Sequence, residues 1–194
     1  MERLWSPWRL PYILSGGEAR GCIFCDAFAD NGASDSTIDD ESTFHQSSLI
    51  VFRGRTCYVI LNLYPYNNGH LMVVPNRHIP SLAAATPEEL CELIELTRRA
   101  ELALAEAYSP HGMNMGINLG KPAGAGVLDH VHMHIVPRWS GDTNFMTVVG
   151  QTRVLPEELS DSAAKLRPIF ERLARYEGES AIQTGETGET RAKR

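Results

Sequence analysis

The chain of 194 residues lacks the features of a membrane or secreted protein. No apolar run approaches the roughly 18 residues that span a bilayer, and no basic stretch followed by an apolar one opens the chain as a secretory signal would. Positive charge is also in short supply, because 18 Lys and Arg are outnumbered by 24 Asp and Glu, for a net charge of −6. This balance argues against a general nucleic-acid binder. We therefore expect a cytoplasmic protein without membrane or nucleic-acid partners.

Cysteine is scarce, with four residues in the chain, and only Cys22 and Cys25 lie close in sequence, as a C-x-x-C pair. In a reducing compartment this spacing favours a metal knuckle or a redox pair over a structural disulfide. Cys57 lies in a strand-like run and Cys91 in a helix-like one, so we expect both to be buried apolar thiols.

Repeats of domain size are absent, and the hydrophobic content of 43% fits one compact domain with additions. Composition divides the chain into an aromatic N-terminal arm at 1–20, the main domain at 21–150, a C-terminal helical segment at 151–177 and a disordered tail at 178–194.

Apolar runs bounded by turn residues predict five strands in the main domain. Their predicted ranges are 48–53, 56–62, 70–75, 113–119 and 131–137. Thr86-Pro87-Glu88-Glu89 is typical of a capped helix start, and helical apolar spacing continues to about Tyr108. Strands clustered around one long helix predict an α+β fold with a mainly antiparallel sheet.

Histidine is also sparse, and its placement is the most informative feature of the chain. Three of the seven histidines alternate in the run His130-Val131-His132-Met133-His134. Residues two apart on a strand share a face, so three imidazoles would stand about 6.6 Å apart. Packing alone rarely needs three titratable rings in a row, so the run indicates a nucleophile, a metal site or both. His70 and His111 are expected to have structural or surface roles.

A glycine-rich segment precedes the histidine run. Gly120, Gly124 and Gly126 permit tight turns and leave backbone N–H groups to face an anion. Such loops are common and form a weak signal alone. Beside three histidines, the segment would hold a phosphate next to an imidazole.

Residues 130–136 match every position of the signature His-φ-His-φ-His-φ-φ, with φ apolar, and the chain therefore resembles the histidine triad (HIT) superfamily. The segment 62–75 is similar to that family's nucleotide-binding strand pair. The runs 4–9 and 137–145 resemble its bacterial diadenosine tetraphosphate (Ap4A) phosphorylase branch. The similarity extends over residues 3–175 and implies a HIT-like fold with a five-stranded sheet.

The resemblance implies a role for each candidate residue. The family's middle histidine attacks the α-phosphate of a nucleotide, so His132 would be the nucleophile and would form a covalent AMP–histidine intermediate, with its other ring nitrogen held by a backbone carbonyl. His134 would contact a phosphate oxygen or assist the leaving group. The other implied contacts are Asn62 to the ribose, Asn118 to a phosphate or the bridging oxygen, and the amides near Gly124 and Gly126 to the phosphoryl oxygens. Lys121 either supplies positive charge to the polyphosphate or is a solvated loop residue.

One departure from the family pattern bears on the acceptor. Hydrolytic members often carry Ser, Thr or Gln just before the triad, where this chain has Gly126, Val127 and Leu128. A side-chain donor to the phosphate or leaving group is therefore missing.

Zinc-bearing members combine a C-x-x-C pair with the histidine of a Pro-x-x-His segment and the first triad histidine. Pro75-Asn76-Arg77-His78 matches that segment. The implied ligands are Cys22, Cys25, His78 and His130, with His45 as a rival fourth ligand. Two thiolates and two imidazoles form a closed, structural zinc site.

The leading functional expectation is a nucleotidyl transferase that converts Ap4A and inorganic phosphate to ADP and ATP. The alternative is a HIT hydrolase acting on AMP phosphoramidates or dinucleoside polyphosphates, and a third reading is a nucleotide-binding regulator without turnover. The resemblance also implies a homodimer or larger homo-oligomer formed through the long helix and the sheet.

Overall fold

A computed structural model describes residues 21–30, 46–142 and 157–186, with side chains described as far as residue 176. The predicted N-terminal arm lies outside these residues. In chain order the main elements are α1 (Ile23–Ala29), β1 (Ile50–Arg53), β2 (Cys57–Leu61), β3 (Leu71–Pro75), α2 (Pro87–Tyr108), β4 (Gly112–Ile117), β5 (Met133–Arg138) and α3 (Leu159–Glu186).

The five strands form one antiparallel sheet in the order β1-β2-β3-β5-β4, which confirms the predicted α+β class. Every residue of β2 and β3 is buried, since both faces of these central strands are covered. Helix α2 packs against β2, β3 and β5, and α3 packs against β1 and α2. The strand that carries His134 therefore lies inside the sheet, between β3 and the edge strand β4.

Helix α2 begins where the sequence predicts. The Thr86 side chain accepts a hydrogen bond from Glu89 N, the Glu89 carboxylate accepts one from Thr86 N, and Pro87 occupies the first turn. Such a capping box satisfies amides that the first helical turn leaves without partners. None of the described helices is long and apolar enough to cross a membrane.

The carboxylate of Glu92 fixes the β1–β2 hairpin to α2. It accepts hydrogen bonds from the amides of Arg55, Thr56 and Cys57, the last at 3.0 Å. Burial alone would raise the pKa of Glu92. The hydrogen bonds from these amides and from the Thr56 hydroxyl together outweigh burial, so the net shift of the pKa is downward. The ionised carboxylate therefore stabilises the hairpin.

The sequence predicts that the last strand begins at residue 131, but β5 begins at Met133. The reason lies in the hydrogen bonds of the two preceding residues. Val131 N donates to Ile79 O at 2.8 Å, and His130 O accepts from the imidazole of His132 at 2.9 Å. Since these groups bond outside the ladder, the regular strand starts two residues later.

The C-terminal helix also differs from its predicted bounds, because α3 runs from Leu159 to Glu186 and passes Gly178, where a disordered tail is predicted. A growing helix gains one hydrogen bond for each residue it adds, and an interior glycine costs only about 1 kcal/mol. Residues 187–194 lie outside the described part of the chain.

The two remaining cysteines differ in their exposure. Cys57 is buried, as predicted, whereas the prediction of a buried Cys91 is wrong because that residue is exposed. Helical spacing places Cys91 beside Leu90 and Ile94, which are 36% and 59% exposed. An apolar side chain at helical spacing therefore does not identify the buried face of α2 by itself.

Candidate active site and metal centre

A cavity of about 220 Å³ lies between α1, β2, β3 and the segment before β5. Most of its lining is apolar, from Ile23, Phe24, Ile60 and Met72 among others. The polar residues of the lining are Asn62, Tyr64, His132 and His134, and Gly126 contributes there as well. An apolar cavity with a few convergent polar groups is typical of a small-molecule site.

The ring of His132 is buried and held in one tautomer. Its Nδ1 lies 2.9 Å from His130 O, and a carbonyl only accepts, so Nδ1 carries the proton and Nε2 carries the lone pair. Burial lowers the pKa of His132, although the hydrogen bond to His130 O opposes the shift. The geometry gives a neutral imidazole whose nucleophilic nitrogen is Nε2.

A hydrogen bond from His70 sets the tautomer of His134. Tyr66 N donates to His70 Nδ1 at 3.1 Å, so the neutral His70 ring carries its proton on Nε2. That nitrogen lies 3.0 Å from His134 Nδ1, which accepts the bond and leaves His134 with a proton on Nε2. The ring centroids of His134 and His132 are 4.8 Å apart. A ring nitrogen with a lone pair, on His132, thus lies near an N–H donor on His134.

His70 is fully buried, and its contact with the triad is the main feature that sequence reasoning missed. His70 precedes β3, where Met72 pairs with His134 in the ladder. A strand-pairing prediction would have placed the two histidines near each other. The prediction for His111 agrees with its surroundings, since this exposed residue accepts a hydrogen bond from Ser140 N at 2.9 Å.

The predicted nucleotide contacts do not all lie at the cavity. Asn62 lines it, and its Oδ1 accepts a hydrogen bond from Tyr64 N at 2.9 Å, which forms an Asx turn. Asn118, Lys121 and Gly124 lie in the β4–β5 connection, outside the cavity lining. Gly124, with φ +90°, needs the conformational freedom of glycine.

The four predicted metal ligands come together beside this cavity. The ligand atoms of Cys22, Cys25, His78 and His130 all lie within 4.8 Å of one another. His130 Nδ1 lies 3.2 Å from Cys22 Sγ and 3.6 Å from Cys25 Sγ, and His78 Nδ1 lies 3.4 Å from Cys25 Sγ. Tetrahedral zinc with ordinary Zn–S and Zn–N bonds separates sulfur and nitrogen by about 3.5 Å, so the spacing fits.

The surroundings of the cluster also fit a metal. His130 Nε2 donates to Pro75 O at 2.9 Å, which leaves Nδ1 as the ligand nitrogen and is typical of metal-binding histidines. Burial, and then the neighbouring Cys22, raise the pKa of the Cys25 thiol to about 11. A bound cation would reverse this shift by favouring the Cys25 thiolate. His45, the rival ligand, lies outside the described residues.

A five-stranded antiparallel sheet with three alternating histidines, two of which line a cavity, defines a histidine triad protein. Residues 43–141 match the HIT domain family, and the chain belongs to this family. It is 38% identical over 172 residues to a Mycobacterium tuberculosis protein named AP-4-A phosphorylase, covering 89% of this chain and 86% of that one.

A Schizosaccharomyces pombe relative, named asymmetrical bis(5'-nucleosyl)-tetraphosphatase, is 36% identical over 52% of this chain and 55% of its own length. Among solved structures, a zinc-bound histidine triad family protein from Mycobacterium smegmatis has a TM-score of 0.60 at 24% identity, covering 82% of this chain and 99% of that one. At this identity, the likeness shows the fold.

Proposed function

We propose that the chain is a nucleotidyl transferase that cleaves Ap4A-type dinucleoside polyphosphates with inorganic phosphate, yielding ADP and ATP. The observation that carries the proposal is the His132 ring, which lines the cavity with Nδ1 bound to His130 O and Nε2 left as nucleophile. The Mycobacterium tuberculosis relative named AP-4-A phosphorylase, similar over most of both chains, supports the same reaction.

The first chemical step transfers AMP to His132. Its Nε2 attacks the α-phosphorus of Ap4A, the N–P bond forms, and the P–O bond to the departing ATP breaks. His134 donates a hydrogen bond from Nε2–H to the leaving oxygen and keeps its proton, because ATP departs as an anion and His70 holds the other ring nitrogen of His134 as an acceptor. His132 then carries a covalent AMP.

The second step reverses the displacement with a new acceptor. A phosphate oxygen attacks the same phosphorus, the N–P bond breaks, and ADP leaves. The phosphate proton passes to water as ADP forms, and Nε2 of His132 regains its lone pair. Both rings are then in their starting protonation states, since His134 keeps its proton throughout, and the cycle balances with one proton released.

The remaining candidate residues would bind the nucleotide. The apolar lining takes the base, and the amide of Asn62 takes a ribose hydroxyl from the same cavity. Gly126 lines the cavity, and backbone N–H groups beside it would stabilise the charge that develops on the phosphoryl oxygens. The amide of Gly124 donates to Lys121 O at 3.0 Å, so this glycine would shape the loop. Asn118 and Lys121, on the adjoining connection, would reach the polyphosphate beyond the cavity.

A hydrolase is the second candidate, favoured by the tetraphosphatase relative from Schizosaccharomyces pombe. It would share the first step and use water in the second. Gly126 and Val127 line the cavity but offer no side-chain hydroxyl or amide to orient water. Phosphate is already an anion, so it depends less than water on a side chain that orients or deprotonates the attacking oxygen.

Incubating Ap4A with the protein, with and without phosphate, tests the proposal. We expect ADP and ATP in equal amounts and only with phosphate present. AMP and ATP formed without dependence on phosphate would establish the hydrolase instead. Absence of products under both conditions would contradict both enzymatic candidates.

Zinc is the metal that the four-residue cluster fits best, and its role in the proposal is structural. Cys22, Cys25, His78 and His130 would complete a tetrahedral site with no position for substrate. Reduced thiols suit the cytoplasm, where we place the protein.

A homodimer or larger assembly is part of the same proposal. Leu90, Ile94 and Leu102 of α2 and Met115 of β4 are each at least 36% exposed. Large exposed apolar side chains on the long helix and the edge strand favour self-association. Light scattering coupled to gel filtration tests this; a mass equal to one chain would contradict it.

Replacing His70 should slow turnover far more than it weakens nucleotide binding. His70→Leu removes the donor to His134 Nδ1, so we expect a fall in kcat of about 100-fold with a nearly unchanged Kd for AMP. His70→Gln retains an amide oxygen for Tyr66 N and an amide N–H for His134, and should restore much of kcat. Equal kcat in both variants would contradict this role.

A further inference from the structure

Phe24 lies between two groups of side chains to which the proposed function assigns separate tasks. It is 3% exposed, stands between Cys22 and Cys25 in sequence, and lines the cavity. Its ring centroid lies 5.5 Å from that of His130 and 4.9 Å from that of His132. One buried ring thus contacts a candidate metal ligand and the proposed nucleophile.

The helix that carries Phe24 depends on contacts with the rest of the protein. Helix α1 has seven residues, and isolated helices shorter than about 12 residues are marginal in water. Its N-cap residue, Cys22, makes no side-chain capping bond, and the sulfur faces His130 instead. The start of α1 is therefore positioned by the cysteine–histidine cluster.

The rest of α1 has other anchors. Tyr58 Oη donates to Phe24 O at 2.8 Å, and Arg53 Nη1 donates to Phe28 O at 2.9 Å. The Phe28 ring stacks on Tyr58 with centroids 5.3 Å apart, and it does not line the cavity. The two phenylalanines of α1 thus share a helix but face different surroundings.

We propose that Phe24 is a positioning residue that couples metal binding at Cys22, Cys25, His78 and His130 to nucleotide binding in the cavity. The inference rests on the proposed nucleotide site and metal centre. A metal held by the cluster fixes the start of α1 and with it the cavity wall formed by Ile23 and Phe24. It also keeps the Phe24 ring against His132.

Metal binding should raise nucleotide affinity because it restricts the motion of α1. When the cysteines are not joined to the histidines through a metal, a nucleotide must order this wall as it binds, and the ordering reduces its affinity. Coupling of this kind typically amounts to about 5- to 150-fold in affinity. Linkage makes the effect reciprocal, so the nucleotide must raise metal affinity by the same factor.

The test measures the Kd of AMP by calorimetry in zinc-loaded and zinc-free full-length protein, with circular dichroism as a check on folding. We expect AMP to bind at least about fivefold more tightly to the zinc-loaded form. Saturating AMP should lower the Kd of zinc by the same factor. Phe24→Leu should bring both ratios below about twofold. Phe28→Leu, the matched control on the same helix, should keep the wild-type ratios.

The outcomes separate the coupling from the proposed function. If zinc-loaded wild-type protein binds no AMP, the nucleotide site is wrong and the coupling falls with it. If AMP binds equally with and without zinc, or if Phe24→Leu keeps the full ratio, the coupling alone is wrong. If the protein binds no zinc, the proposed metal centre is wrong and the coupling falls with it, while the nucleotide site stands.

If the zinc-free protein is unfolded, the comparison is made between the zinc-loaded wild-type and variant proteins. In that case Phe24→Leu should weaken AMP binding and Phe28→Leu should not. Equal AMP affinity in the two loaded variants would overturn the coupling.

Discussion

Replacing His132 with alanine should abolish Ap4A turnover, with a loss on the order of 10⁴-fold or more. The substitution removes the nitrogen that forms the N–P bond to AMP in the proposed reaction. Without it, no covalent AMP intermediate can form. The cavity keeps its apolar lining and Asn62, so AMP should still bind with a Kd within about tenfold of wild type. Product analysis and AMP titration measure the two effects.

His111→Ala is the matched control for this prediction. His111 is another imidazole, but it is exposed and bonded to Ser140, outside the cavity lining. Its loss should leave turnover unchanged. Retained turnover in His132→Ala would refute the assigned nucleophile, and a loss of turnover accompanied by unfolding would be detected by circular dichroism.

The histidines of the triad differ in the partner that each ring nitrogen has. His130 bonds Pro75 O and faces two cysteines, His132 bonds the carbonyl of His130, and His134 bonds His70. Alternation in sequence places the rings side by side, but the hydrogen-bond partners decide which nitrogen holds a proton. The proposed metal ligand, nucleophile and donor would therefore arise from one repeated residue.

Much of the fold was predictable because its signals are local. The capping box at Thr86 and Glu89 marks the start of α2, and the apolar runs around Tyr58 and Val73 mark central strands. The beginning of β5 was not predictable, since it depends on the hydrogen bond between the His130 carbonyl and the His132 ring. Cys91 shows the same limit, because helical spacing alone does not reveal which neighbours cover a face.

Some residues of the candidate site could likewise be predicted from the sequence, and others could not. The cysteines and histidines of the metal cluster meet as the family resemblance implies, although 108 residues separate Cys22 from His130. His70 and Phe24 gave no signal of their own, because a histidine before a strand and a phenylalanine between cysteines both resemble ordinary core residues. Their contacts with His134 and His132 depend on strand pairing and on the packing of α1.

Removing a zinc ligand should lower stability as well as metal content. We expect Cys22→Ser to lose most of its zinc and to melt about 5–15 °C below wild type, since a ligand present at 100 to 1,000 times its Kd contributes about 2.7–4.1 kcal/mol to the folded state. The cluster joins α1, the segment after β3 and the segment before β5, and only the folded chain brings these together. Elemental analysis and thermal unfolding measure the two effects.

Cys91→Ser provides the control, because Cys91 is an exposed thiol on α2 and makes no part of the cluster. It should keep wild-type zinc content and Tm. A chelator should lower the Tm of wild type and Cys91→Ser alike, and should leave Cys22→Ser almost unchanged. Wild-type protein purified without added zinc that carries under about 0.2 equivalents, or that melts identically with chelator, would contradict a structural zinc centre. The cysteine pair would then hold α1 in place by packing alone, and the wall of the nucleotide cavity would owe its position to Tyr58 and Arg53.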